Sequence, residues 1–157
     1  MKYALVKTFW FFGRPIQKLY WFIFQPKLLG VKCIIENNGK FLLVKINYGH
    51  HRWIIPGGGV NKGESSIDAA IRETKEEVGL DVKDLVYIGS FFTNKDYKQN
   101  TVEIFLCKSD TLETKVDPIE IEEAKWFTRS EFPVHGRGSS FDKIFEIYDE
   151  FKSKTTS

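Results

Sequence analysis

The 157-residue chain is short of several things, and each shortage removes a class of protein. It has two cysteines, Cys33 and Cys107, each alone in an apolar, strand-like run. No Cys-x-x-Cys or Cys/His spacing exists, so a zinc site is excluded, and both thiols are expected to be buried and free in a reducing compartment. Charge of one sign is also scarce. A net charge of +2 gives no reason to expect nucleic-acid binding. No apolar run approaches the ~20 residues that span a bilayer, because Lys7, Arg14 and Lys18 interrupt the candidates. The patch "FWFF" is short and no small-residue cleavage site follows it, so a signal peptide is not expected and a cytoplasmic protein is. No internal repeat is visible. The length suits one domain with a real core.

Aromatic and basic residues crowd the N-terminus. Residues 1–30 carry Lys2, Lys7, Arg14, Lys18 and Lys27 with no acid, and nine of the chain's aromatics. "RPIQKLYWFIF" opens with Pro15, favourable at a helix start, and is apolar almost all round. Residues 1–27 are therefore expected to form an accessory helix outside the main domain, 28–157. It would pack on its own domain or a dimer mate, giving a homodimer. The other reading is peripheral membrane contact, with aromatics at the acyl boundary and Lys/Arg at anionic head groups.

After Pro26 the pattern turns to strands. "LGVKCIIE" and "FLLVKI" flank Asn38-Gly39, the strongest short hairpin signal. "RWIIP" is a third strand, ended by Pro56 and "GGG". Helical periodicity runs from Ser65 to Gly79. "VYIGSFF" and "TVEIFLC" follow as strands, with "TNKDYKQN" expected as a polar loop between them. "EEAKWF" is one more strand. "SSFDKIFEIYDEF" is a C-terminal helix with Phe141, Ile144, Phe145 and Tyr148 on one face. The class is α+β.

One stretch raises a question of electrostatics. "RETKEEVG" places Glu73, Glu76 and Glu77 within five positions, a spacing at which like charges destabilise a helix. At about 100° per residue, Ile67, Ala70, Ile71, Thr74 and Val78 form the core face, and the three glutamates share another, exposed arc. Alone this is a solvated acidic face or a site, at even odds. The glycine loop "PGGGV" just upstream tips the balance, because glycine lets backbone approach a ligand closely. Carbonyl and carboxylate oxygens in one small volume suit a hard divalent cation, which is completed by water and substrate phosphates.

"GGVNKGESSIDAAIRETKEEVGL" resembles the Nudix box: Gly58, Glu64, Arg72, Glu73, Glu76, Glu77, Gly79 and Leu80 match, and Thr74 departs at an aliphatic position. "WIIPGGGV" and "EEAKWF" are similar to flanking Nudix segments. The resemblance implies an α/β/α sandwich with a mixed central sheet. It implies hydrolysis of a pyrophosphate bond in a nucleoside diphosphate linked to another moiety, with Mg²⁺ or Mn²⁺. Glu73, Glu76, Glu77 and the Gly57 or Gly58 carbonyl would hold metal. Glu73 or Glu76 would activate water, while Glu64 and Arg72 orient loop and helix. A further glutamate is available at Glu103, Glu120, Glu122 or Glu123. Arg52 is expected to meet phosphate. Trp53, Tyr97, Phe91, Phe92 and Trp126 are candidates for stacking on a base. His50 and His51 are adjacent and so not a metal pair; substrate contact and plain loop are equally open. No substrate signature downstream of the box matches clearly. A catalytically silent Nudix-fold sensor is the alternative, disfavoured because such domains usually lose box glutamates and here all are present.

Overall fold

The structure, a computed structural model, describes residues 27–47, 51–95 and 98–155; the expected N-terminal accessory helix, His50 and Tyr97 lie outside them. Among the described residues, three strands precede the first α-helix and three more precede the second. β1 (Lys27–Asn37) and β2 (Lys40–Ile46) form a hairpin. Asn38 and Gly39 turn it with φ of 47° and 76°, the doubly positive turn that matches strand twist. β3 (Trp53–Ile54) follows, then α1 (Ser66–Val78), β4 (Val86–Lys95), β5 (Lys98–Lys108), β6 (Ile121–Thr128), a 3₁₀ turn at Arg129–Glu131 and α2 (Phe141–Thr155).

The strand order is β3-β2-β1-β5-β4, with β6 on the other side of β2. β1 and β5 run parallel and the remaining pairs are antiparallel, giving the expected mixed sheet. β1 is buried on both faces. Cys33 and Ile35 pack with Leu42, Val44 and Val78 of α1. Ile34 packs on the other face with Phe41, Leu43 and the α2 side chains Phe141, Ile144, Phe145 and Tyr148. All four expected α2 residues are therefore core. The two buried thiols, far apart in sequence, meet with Sγ atoms 3.6 Å apart.

Two expectations need correction. The polar loop expected between "VYIGSFF" and "TVEIFLC" is mostly strand, because β4 and β5 stay paired out to Lys95 and Lys98. Polar side chains do not stop a backbone ladder, least of all on an edge strand. The inner face of α1 is also different. Ile67 and Ile71 are 41% and 36% exposed, while Ala69, Ala70, Thr74 and Val78 are buried. Small residues bring the helix close to the sheet. Thr74, placed on the core face by the helical period, is fully buried as expected.

Candidate active site and metal centre

The glycine loop occupies a gap in the sheet. β1 and β2 diverge beyond their hairpin, and the chain after β3 lies along the vacated edge of β1. The Cys33 N–H donates to Pro56 O at 2.9 Å, Val31 N–H to Gly58 O at 2.9 Å, and Val60 N–H to Leu29 O at 3.0 Å. This close approach requires glycine. Gly57 sits at φ +130°, and a Cβ there would stand 2.3 Å from Val31 O. At Gly58 a Cβ would stand 2.4 Å from the Glu73 carboxylate, so loop and acidic helix are in contact.

α1 is started by Ser65, whose hydroxyl accepts from Asp68 N–H, and stopped by Gly79 in the left-handed region. Its Arg72 gathers the acids. Nε and Nη2 grip both Glu64 oxygens at 2.8 and 2.9 Å, and Nη1 donates to Glu73 at 2.6 Å and to Glu76 at 3.1 Å. Nη2 also donates to Gly59 O at 3.0 Å. These charge-assisted bonds offset the repulsion the sequence implied. The Arg72 fork, helped by the Asn61 N–H, pulls the Glu64 pKa down to about 2, and its carboxylates raise that of Arg72. Both residues thus stand where loop and helix must be tied together.

Glu77 departs from expectation. It is 7% exposed, not on a solvated arc, because its Oε2 accepts the Gly57 N–H at 2.9 Å. Burial lifts its pKa to about 7; Lys32 and the Gly57 N–H pull it down, and Glu73 and Glu120 push it up. Of the four further glutamates, Glu120 lies within electrostatic reach of the helix acids: partial burial raises its pKa, and the charges of Glu73, Asp117 and Glu76 add to the rise. The turn carrying it is fastened to the end of α1 by Asp117 N–H on Glu77 O and Lys115 N–H on Val78 O. Glu122 is instead taken by Lys45 and His51, each at 2.6 Å. Glu103 lies in register with Val31 and Ser90, and Glu123 opposite Lys45.

Lys32 was missed. Its Nζ donates to Ile55 O at 2.9 Å and Gly57 O at 2.6 Å. Burial lowers its pKa, and the charges of Glu77 and Glu73 resist. The available signal was a lysine within "GVKCII", a strand apolar on both faces; lysine is rarely enclosed without partners. Of the other sequence-derived residues, Trp53 packs edge-on against Phe127 with centroids 5.0 Å apart. Trp126 donates its indole N–H to Leu112 O. Phe91 packs against the core and Phe92 is exposed. Arg52 borders a pocket with Lys32.

Among the described residues no three acidic, histidine or cysteine side chains already form a ligand cage. The donor set still fits a hard cation. All donors are oxygens, and Glu73 and Glu120 add to the rise that burial imposes on the Glu77 pKa, as Glu73 and Glu76 do for Glu120. The Gly58 carbonyl already accepts from Val31 N–H, and a carbonyl has a second lone pair.

A mixed sheet between two helices, with a glycine loop laid against an acidic helix, defines the Nudix class of fold. The family model for the NUDIX domain matches residues 26–146, and the chain belongs to that family. It is similar to diphosphoinositol polyphosphate phosphohydrolase 3-alpha of Mus musculus, 36% identical over 93 residues, 59% of this chain and 57% of that protein. It is likewise similar to bis(5'-nucleosyl)-tetraphosphatase (asymmetrical) of Sus scrofa, 36% identical over 81 residues, 49% of this chain and 55% of that protein. The chain thus spans a little over half the length of these curated relatives. In fold it is similar to a MutT NUDIX hydrolase from Burkholderia pseudomallei, with TM-score 0.70 and 21% identity over 77% of this chain and 97% of that one. Among the described residues no helix is long and apolar enough to cross a membrane.

Proposed function

We propose that the chain is a Mg²⁺- or Mn²⁺-dependent hydrolase. It cleaves a pyrophosphate bond in a nucleoside diphosphate linked to another moiety, such as a nucleotide sugar or dinucleoside polyphosphate. The observation that carries this reading is the acidic cluster of Glu73, Glu76, Glu77 and Glu120 against the glycine loop. Such a cluster is unfavourable by itself and becomes useful with a cation. Both similar phosphohydrolases named above act on polyphosphorylated small molecules by their names, which is consistent with this substrate class.

Glu73, Glu76, Glu77 and Glu120 would supply the metal's carboxylate ligands. When bound, the ion supplies Lewis acidity and a water acidic enough to ionise near neutral pH. The protein's own groups position and protect. Arg72 fixes Glu64, Glu73 and Glu76 relative to the loop. Lys32 and Glu77 fix the Gly57 peptide. Glu73 or Glu76 accepts the proton of the attacking water, which requires a carboxylate within hydrogen-bond reach. Arg52 meets phosphate charge. We further propose that residues 1–27 are an accessory segment that packs on this domain or a second copy, and that the protein works in the cytoplasm.

The test is phosphate release from a panel of nucleotides, nucleotide sugars, dinucleoside polyphosphates and diphosphoinositol polyphosphates, with Mg²⁺, with Mn²⁺ and with chelator. Metal-dependent release from at least one anhydride is expected. Binding without turnover under every metal condition would instead identify a sensor.

A further inference from the structure

The pocket bordered by Arg52 and Lys32 lies beside the glycine loop. It has a volume of about 230 Å³ and is bounded by Lys32, Arg52, Ile55, Gly138, Phe141 and Ile144, among others. That is smaller than the roughly 300–1,000 Å³ that encloses a whole small ligand, so it suits a group of a ligand and not an entire one. Its charged lining residues are Lys32 and Arg52, and no carboxylate borders it. The rest of the lining is mostly apolar, from Ile46, Ile54, Ile55, Phe141 and Ile144, so the two cations supply its only charge. Among the described residues, Arg72, Arg129 and Arg137 each pair with carboxylates, whereas Arg52 has no side-chain partner. Lys32 spends two of its three N–H donors on Ile55 O and Gly57 O, which leaves one uncommitted. The pocket also takes in the start of α2, where the helix dipole favours negative charge. The first-turn Asp142 is turned to Arg137 and does not line it.

The position matters as much as the charge. Lys32 is shared: it lines the pocket and holds the Gly57 carbonyl, while Glu77 of the acidic cluster holds the Gly57 N–H. One loop therefore separates a cation-seeking site from an anion-seeking one. We propose that the pocket is an anion subsite of the proposed active site. It holds a phosphate group of the substrate other than those gathered at the acidic cluster, so the preferred substrates carry at least one phosphate beyond the cleaved diphosphate. This inference rests on the hydrolase reading above. Arg52 supplies the planar fork suited to phosphate, and Lys32 a point charge.

The test separates the two readings. First, binding of inorganic phosphate to the full chain is measured by amide chemical shifts in chelator, where no metal site can contribute. Phosphate should perturb amides of residues 52–55 and 138–141. Arg52→Gln should weaken binding by about tenfold or more, as expected for loss of a charged hydrogen bond, with an unchanged melting temperature. Glu73→Gln/Glu76→Gln should not weaken it. An adventitious ion only, with shifts scattered over surface lysines or equal affinity in Arg52→Gln, overturns the proposal. Second, Arg52→Gln should raise KM more for a dinucleoside tetraphosphate than for a nucleoside-diphosphate sugar; an equal rise for both also overturns it. Absence of turnover by the unaltered protein on any substrate would sink the hydrolase reading and, with it, the substrate role of the pocket. The chelator experiment would still report whether the anion site exists.

Discussion

Lys32 and Glu77 hold the two backbone polar groups of Gly57: Nζ of Lys32 donates to Gly57 O at 2.6 Å, and Oε2 of Glu77 accepts the Gly57 N–H at 2.9 Å. A half-buried cation and a buried carboxyl are thus joined through backbone, with no direct ion pair between them. Each is expensive to bury alone. Together they pin the glycine loop against β1.

Gly57 is the pivot of that arrangement and cannot carry a side chain. At φ +130°, with a Cβ falling 2.3 Å from Val31 O, Gly57→Ala must displace the loop from β1. Loss of about 3 kcal/mol or more is expected from backbone strain and the broken contacts. Urea denaturation checks this, and Gly59→Ala is the control, since a Cβ there meets nothing within 4 Å. Similar losses in both variants would refute the argument.

Glu77 should make the metal-free protein sensitive to pH. Its carboxyl is held at about 7 against an ordinary 4.5, chiefly by burial. Between those values the unfolded chain has lost the proton and the folded chain keeps it. Stability from this group is therefore complete below pH 4.5 and is lost as pH rises to about 7, by about 3 kcal/mol in total. Glu77→Gln keeps an acceptor for Gly57 N–H and does not titrate. In chelator, the two proteins should match near pH 4.5, and the variant should be the more stable at pH 8. Parallel stability curves across that range would rule out a perturbed Glu77.

Much of this was legible in the sequence because local chemistry dictated it. Asn38-Gly39, Ser65 and Gly79 set a turn and two helix ends through backbone preferences that need no tertiary context. The side of α1 that faces inward was not legible in the same way. Hydropathy places Ile67 and Ile71 inside and Glu77 outside. The sheet instead accepts a narrow face of small residues, and the Gly57 N–H draws Glu77 inward. That donor lies twenty residues away in sequence, so no helical wheel contains it. Lys32 was overlooked for the same reason: its partners are backbone carbonyls of the glycine loop, which sequence does not mark as acceptors. Glu120 stood among four candidates, and the fastening of its turn to α1 separates it from Glu103, Glu122 and Glu123.

Added Mg²⁺ or Mn²⁺ should raise the melting temperature at pH 8. Binding only to the folded cluster stabilises by about 2.7 kcal/mol at a hundredfold excess over Kd. Glu73→Gln/Glu76→Gln/Glu77→Gln should abolish the shift. If the shift survives in the triple variant, the cation binds elsewhere and the acidic helix is not its site. Glu77→Gln alone should cut turnover by at least about a hundredfold, the scale of losing a group that stabilises charge in the transition state.

Arg72 offers the sharpest separation of charge from geometry. Its guanidinium reaches Glu64, Glu73, Glu76 and the Gly59 carbonyl at once. Lysine keeps the charge but has neither the planar fork nor the same reach, so Arg72→Lys can satisfy only part of this set. Glu64 would then lose its two-point grip, its carboxyl would titrate nearer the ordinary value, and the loop would loosen from the helix. A lower melting temperature is expected, together with at least about a tenfold fall in turnover from misplaced carboxylates. Metal affinity, read from the melting shift, should fall less than turnover, because the carboxylates themselves remain. If Arg72→Lys retains full turnover, the charge alone suffices and Arg72 does not act by positioning. If metal affinity and turnover fall in equal proportion, Arg72 acts through the metal site as a whole, and not through the placement of Glu73 and Glu76.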